Sequence, residues 1–279
     1  MTKLDAAARS ERLQRTLEQL ERFRTIDDTF MRQVFKDNKE LTEYVLRVIT
    51  GIRDLTVVRQ ETQRDLKRLA GSRSVELDVW ATDASGRQYD LEMQRSDNAA
   101  PQRLRYHSAA MDIEALKPNR PFSELPSQWI IFVVERDDEP GPVGIRHYIR
   151  TDIETGKALK DGTHLLYVNG SYRGNDELGS LMADFCQSDP DRITNELLRK
   201  RVQYLKRDPK GVREMCRISE EIYNEGLEKG LEKGLEEGAR NNTVQSIRNL
   251  METLGLKPSQ AFDALKVPES QRGEYLALL

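Results

Sequence analysis

Residues 75–94 read VELDVWATDASGRQYDLEMQ, with Glu76 and Asp78 before a short turn and Asp90 and Glu92 after it. Two-residue spacing puts each pair of acids on one face of an extended strand. Val75, Leu77, Val79 and Ala81 then take the opposite face of the first strand, leaving Glu76, Asp78 and Trp80 together. Tyr89, Leu91 and Met93 do the same on the second, leaving Gln88, Asp90, Glu92 and Gln94. If the turn centres on Ser85, Asp78 falls opposite Glu92, Trp80 opposite Asp90 and Glu76 opposite Gln94. Opposed residues of an antiparallel pair hold their Cβ atoms about 4.5–5.5 Å apart. A slip of one residue would turn one strand's acids to the other face.

Facing carboxylates repel unless something neutral or positive separates them. A divalent ion such as Mg²⁺ is the natural candidate, because it takes a few carboxylate oxygens and fills its other positions with water and substrate phosphate. Such an ion lowers the pKa of a bound water and neutralises charge developing on a phosphodiester. Asp78 and Glu92 would hold the ion. Gln94, on the same face as Glu92, would orient the water or a non-bridging oxygen, without the positive charge a lysine would add. The competing reading is an ordinary sheet with one solvated polar face, where acids are common. Alternation alone does not say whether Asp78 with Glu92, or Asp90 with Glu76, is the pair that matters.

The elements that must carry these residues follow from periodicity. Leu4, Ala8, Leu13, Leu17, Leu20 and Phe23 form one stripe of a helix over 4–24. Thr25, Asp27 and Asp28 are candidate N-caps for a helix with Phe30, Met31, Val34 and Phe35, and a second helix over 40–49 stops at Gly51. The period then becomes two: strands are expected at 55–62, 74–82 and 87–94. A helix over Pro101–Leu116 ends before Pro118, and QWIIFVVE (128–135) suits a strand covered on both faces. Shorter strands are expected at 145–150 and 164–168, with helices from Asn175 onward. The order helix, three strands, helix, strand over 28–135 gives an α/β fold with helices on a small mixed sheet.

Composition sets the wider limits. The chain has 279 residues, 33% of them charged, and a formal net charge of −3, so any nucleic-acid surface must come from local clustering rather than bulk charge. Cys186 and Cys216 have neither CxxC nor metal-ligand spacing, and are expected to be reduced thiols of a cytoplasmic protein. No long apolar run suggests a membrane span, and the start, MTKLDAAARSERLQ, lacks the apolar stretch of a signal peptide. His147 and His164 have no partner spacing and are read as structural.

Three segments together carry a family resemblance: DDTFMRQVFKDNKELTEYVLRVITG, SVELDVWATDASGRQYDLEMQRSD and PQRLRYHSAAMD. With LLYVNGSYRG (165–174) and YLKRDPKGVREMC (204–216), they make residues 26 to about 220 closely similar to the PD-(D/E)XK nuclease family transposases, relatives of recombination-promoting nucleases. The combination is an Asp, a short turn, Glu-x-Gln and a downstream Arg-x-x-Tyr. The resemblance implies a restriction-endonuclease-like αβββαβ core with a helical C-terminal extension, and a metal-dependent endonuclease acting on DNA. It implies Asp78 and Glu92 as metal ligands and catalytic residues, with Gln94 in place of the general motif's lysine. It adds Asp28 of the first core helix as a further metal ligand, and Arg103 and Tyr106 as DNA contacts. Arg103 and His107, at i and i+4, share a helix face that could meet backbone phosphates.

The domain reading is an N-terminal helix (1–24), a nuclease-like domain (25–200), a charged repeat helix (201–242) and a small helical module (243–279). EGLEKGLEKGLEEGAR (225–240) repeats glycine every fourth residue. Each glycine costs a helix about 1 kcal/mol relative to alanine. The repeat is either a solvated spacer or a surface for close helix approach, giving a homo-oligomer through the C-terminal helices. Beyond it, two or three short helices are expected, broken at Gly255, Pro258 and Pro268.

Overall fold

The computed structural model describes residues 3–66, 75–94, 100–135 and 143–279. Contacts divide the chain into a unit over 1–216 and a second over 217–279. In the first, α1 (Lys3–Arg22), α2 (Asp28–Phe35) and α3 (Lys39–Thr50) precede the strands. Helix α2 buries Phe30, Met31, Val34 and Phe35, the stripe its sequence offers. Asp27 holds the N-cap position, yet its carboxylate accepts the backbone N–H and guanidinium of Arg24 instead of capping the helix. Asn38 caps α3 through the Leu41 N–H, and Gly51, at φ 72°, ends it in the left-handed conformation that glycine adopts freely. The stripe expected on α1 packs only at its end: Leu20 is buried, whereas Leu13 and Leu17 are exposed. The side chains of Leu4 and Ala8 lie outside the described set, as does Ser74, where the second strand was expected to start.

Strands β1 (Val57–Asp65), β2 (Glu76–Asp83), β3 (Gln88–Gln94), β4 (Gln128–Val134), β5 (Ile145–Tyr148) and β6 (Thr163–Asn169) form one open sheet in the order β1-β2-β3-β4-β6-β5. The first three are antiparallel neighbours, β3, β4 and β6 run parallel, and β5 returns antiparallel to β6. Parallel neighbours need a crossover, and α4 (Pro101–Ala115) is the one between β3 and β4. Every residue of β4 is buried, as expected of a strand covered on both faces. Helices α5 (Glu177–Phe185) and α6 (Glu196–Arg207) complete the unit before the long helix α7 (Pro209–Leu254) begins.

The hairpin register is the one read from the turn: Val79 pairs with Leu91, Trp80 with Asp90 and Ala81 with Tyr89. Two expectations fail beside it. The acid-bearing face is not solvated; Asp78, Asp90, Glu92 and Gln94 are all buried, and α4 supplies Leu104, His107, Ser108 and Met111 as the cover. The alternation also breaks within β2. Leu77 and Trp80 share one apolar cluster with Leu104 and Met111 of α4, although strict alternation assigns them to opposite faces. Gln63, at φ 54°, drops out of the β1–β2 ladder between the Thr62–Val79 and Arg64–Leu77 pairs. Trp80 turns into the core under the Arg64 guanidinium, 3.8 Å from its ring centroid, while Glu76 and Asp78 both turn to Arg32 of α2.

The second unit has its own small core, in which Ile247, Ala261, Phe262 and Val267 are buried against Leu250, Met251 and Tyr275. Gly255 (φ 64°) breaks α7 from α8 (Pro258–Ala264), and α9 (Glu269–Leu276) follows Pro268, as the sequence predicts. A Cβ on Gly226, Gly230, Gly234 or Gly238 would meet nothing within 4 Å, and Leu227, Leu231 and Leu235 beside them are exposed.

Candidate functional site

The site forms where β3 ends under its crossover helix. Four residues along a helix advance about 6 Å, and two along a strand advance about 6.6 Å. Arg103 and His107, one turn apart on α4, therefore meet same-face residues two apart on β3. Arg103 donates to Gln94 Oε1 (2.8 Å) and Glu92 Oε2 (3.2 Å), and His107 Nδ1 lies 2.8 Å from Asp90 Oδ2. His107 Nδ1 is also 4.0 Å from Glu92 Oε1. Ligand atoms of Asp90, Glu92 and His107 all lie within 4.8 Å of one another, a group that could hold a metal ion. All three are buried, and Asp90 Oδ1 has no hydrogen-bond partner. Gln94 Nε2 reaches Glu92 Oε2 at 3.3 Å, and the His107 ring stands edge-on to Phe132.

Asp78 borders this group. Its backbone N–H donates to Glu92 Oε1 at 2.9 Å, but its carboxylate is taken by Arg32, at 2.9 Å. Arg32 also pairs with Asp28 (2.9 Å) and Glu76 (3.3 Å). Asp28, at the first position of α2, meets the same Nε and Nη2 atoms of Arg32 as Asp78 does, and lies outside the Asp90–Glu92–His107 group. Tyr106 is 42% exposed on α4. Arg103, with its side chain 37% exposed, is the member of the cluster that also reaches solvent.

Two arginines from two helices do what the sequence reading assigned to a metal ion: Arg32 neutralises Asp78, and Arg103 neutralises Glu92. Even so, the acids are under-compensated. Burial, then the Glu92 charge, pushes the Asp78 carboxyl up to about 8 against the opposing Arg32. Burial, then Asp90, pushes Glu92 up to about 8. Asp90 is raised well above the usual carboxylate range by burial and by Asp78. His107 is lowered by burial, so its imidazole is neutral and available as a donor or a ligand. Near neutral pH such a cluster retains protons that a cation would displace.

Sequence reasoning placed Asp78, Glu92, Gln94 and Arg103 in this region but missed the parts Asp90, His107 and Arg32 play. Arg32 had a local signal, four residues after Asp28. His107 had one too, at i+4 from Arg103, but nothing in the sequence says how deep α4 sits. Elsewhere, His147 and His164 prove to be partners: Nε2 of one lies 2.8 Å from Nδ1 of the other, and both stack on Trp129. Neither Cys186 nor Cys216 forms a disulfide. Among the described residues, no helix is long and apolar enough to cross a membrane.

Fold and site together define a mixed α/β protein whose six-stranded sheet carries a buried Asp–Glu–His group at the end of a parallel strand. No family model, curated protein or solved structure matches the chain.

Proposed function

We propose that this chain is a divalent-metal-dependent DNA endonuclease with a restriction-endonuclease-like core, related to the PD-(D/E)XK transposases that its sequence resembles. The observation that carries the reading is the buried Asp90–Glu92–His107 group with its unpartnered Asp90 Oδ1. A buried anionic oxygen without a donor calls for a proton or a cation. The separations of 2.8 and 4.0 Å from His107 Nδ1 each fall about 0.2 Å short of the donor spacings, about 3.0 Å cis and 4.2 Å trans, of an octahedral ion with bonds near 2.1 Å. The residues therefore fit a bound ion. Asp90, Glu92 and His107 would hold it, and Asp78, bonded through its N–H to Glu92, would border it.

When bound, a Mg²⁺-like ion supplies an activated water and neutralises charge on the scissile phosphodiester. The protein's own groups do the rest. The Asp78 N–H and Gln94 amide fix the Glu92 carboxylate, and the Arg103 guanidinium at the solvent edge meets the backbone phosphate. The experiment is incubation of the purified chain with plasmid DNA and Mg²⁺ or Mn²⁺, beside Glu92→Gln and Asp78→Ala. Cleavage by the wild-type chain, lost in Glu92→Gln, is the expected result; equal cleavage by all three removes this site from the reaction.

A second reading has its own support. Arg32 and Arg103 already occupy the acids, and Gln94 brings no positive charge to a reaction centre. A nucleic-acid-binding or assembly protein that keeps this architecture without cutting would show salt-sensitive DNA retention and no cleavage with any divalent ion.

A further inference from the structure

We propose a second binding site, apart from the acidic centre, that takes a small, flat, uncharged heterocycle of the nucleobase class. Between β1, the β2–β3 hairpin and the last turn of α4 lies a cavity of about 320 Å³. That volume is at the lower end of the roughly 300–1,000 Å³ usual for small-molecule sites. Leu66, Trp80 and Met111, all buried, line it together with Ala115 at the end of α4. Trp80 is the ladder partner of Asp90, and Thr82 with Gln88 form the next pair on the same face. The cavity therefore lies at the opposite end of α4 from Arg103, with Gln88 four residues, or roughly 13 Å, along β3 from Glu92.

The lining sets the chemistry of the occupant. Apolar walls favour a ring, and the polar groups set among them include both donors and acceptors: the Thr82 hydroxyl, the Gln88 amide, the Glu114 carboxylate and the guanidinium groups of Arg59 and Arg64. The charges offset one another. Arg59 pairs with Glu61 at 2.6 Å, and Arg64 lies 3.8 Å from Glu114. A neutral molecule therefore fits better than an ion, which would bring a charge into the cavity without a free counter-charge. Arg64 is also held in place, its guanidinium 3.8 Å from the Trp80 ring centroid. Its contacts with Glu61 (3.6 Å) and Glu114 (3.8 Å) are longer than hydrogen bonds, and its Nη1 has no hydrogen-bond partner. The guanidinium thus keeps donors for a ring carbonyl or ring nitrogen, while Gln88 and Glu114 can accept from a ring amine. A nucleobase edge carries both kinds of group side by side.

Calorimetric titration of the full chain with adenosine, guanosine and thymidine in turn tests the assignment, with benzene as an apolar control and Ala115→Phe and Arg64→Met run alongside. EDTA in every titration keeps the result independent of any metal and of DNA cleavage. At least one nucleoside should bind the wild-type chain, and bind each variant roughly tenfold or more weakly. Ala115→Phe fills the cavity, and Arg64→Met removes a charged donor, a loss of about one decade in affinity. No binding of any nucleoside by the wild-type chain overturns the inference, as does binding that Ala115→Phe leaves unchanged. Benzene binding as tightly as the best nucleoside, with Arg64→Met without effect on either, reduces the cavity to an apolar void and overturns it too. If a variant fails to fold, nuclear magnetic resonance of the methyl-labelled wild type decides. An Overhauser contact between the bound nucleoside's ring protons and the Met111 methyl supports the site, and its absence overturns it.

Discussion

Asp83 and Asp90 lie seven residues apart on one hairpin and are equally hidden from water, yet their surroundings are opposite. Asp83 Oδ1 accepts the N–H groups of Ser85 and Arg87, both at 2.9 Å, and its Oδ2 accepts Arg87 Nε and the Tyr89 hydroxyl. Both of its oxygens are doubly bonded into the turn, and the residue needs nothing further. Asp90 has one oxygen on His107, and beyond that only the neighbouring Glu92 carboxyl. Burial alone therefore does not mark an acid as functional; the informative quantity is how much of its hydrogen-bonding capacity the chain leaves unmet. Asp184, which accepts from Thr194 and Asn195, belongs with Asp83 as a loop-holding acid.

The sharpest way to break the comparison is to remove each acid in turn. Asp83→Ala deprives a partly exposed guanidinium, a buried hydroxyl and two backbone N–H groups of their acceptor. A loss of about 2–4 kcal/mol in denaturant unfolding is expected, from donors left without a partner. Asp90→Asn should have the opposite sign. It keeps an oxygen for His107 and removes a charge from beside Asp78 and Glu92. At pH 9, above the values near 8 that Asp78 and Glu92 reach, stability should rise by about 1 kcal/mol. A fall as large as that of Asp83→Ala would make Asp90 a structural acid after all.

A third test reads a slope. Asp78 and Glu92 bind protons more tightly in the folded chain, near 8, than in the unfolded one. Their contribution is then fully present below the unfolded carboxylate range near pH 4 and is lost as pH rises through about 8. The unfolding midpoint of the metal-free chain should fall over that interval. Asp78→Asn should flatten the slope, whereas a substitution in the Asp83 turn should leave it intact. A midpoint that does not move between pH 5 and 9 would mean that Arg32 and Arg103 fully compensate the acids.

Much of this was legible in the residues. Val79, Ala81, Tyr89 and Leu91 alternate cleanly, and Gly86, at φ 81°, marks the turn, so the register came out right. QWIIFVV announced a strand covered on both faces. What alternation could not show was that Leu77 and Trp80 join one cluster under α4, because that depends on which element covers each side chain. The physical argument from facing acids was incomplete for a related reason. Arg32 lies 46 residues from Asp78 and Arg103 lies on a crossover helix, so the neutralising charges come from elements whose approach the hairpin sequence does not encode. His107 was read only as a phosphate-facing neighbour of Arg103, because its contact with Asp90 depends on burial under α4, a tertiary property.

The paired arginine clamps have a consequence for the protein's life before it meets any ion. Zinc-finger domains collapse without their metal because nothing else offsets their ligands. Here Arg32 and Arg103 stand in as resident counter-charges, so the polypeptide can be synthesised, fold and persist empty. If the centre proposed above binds an ion, scarcity of that ion would silence the molecule without destroying it, and resupply would restore it without new synthesis.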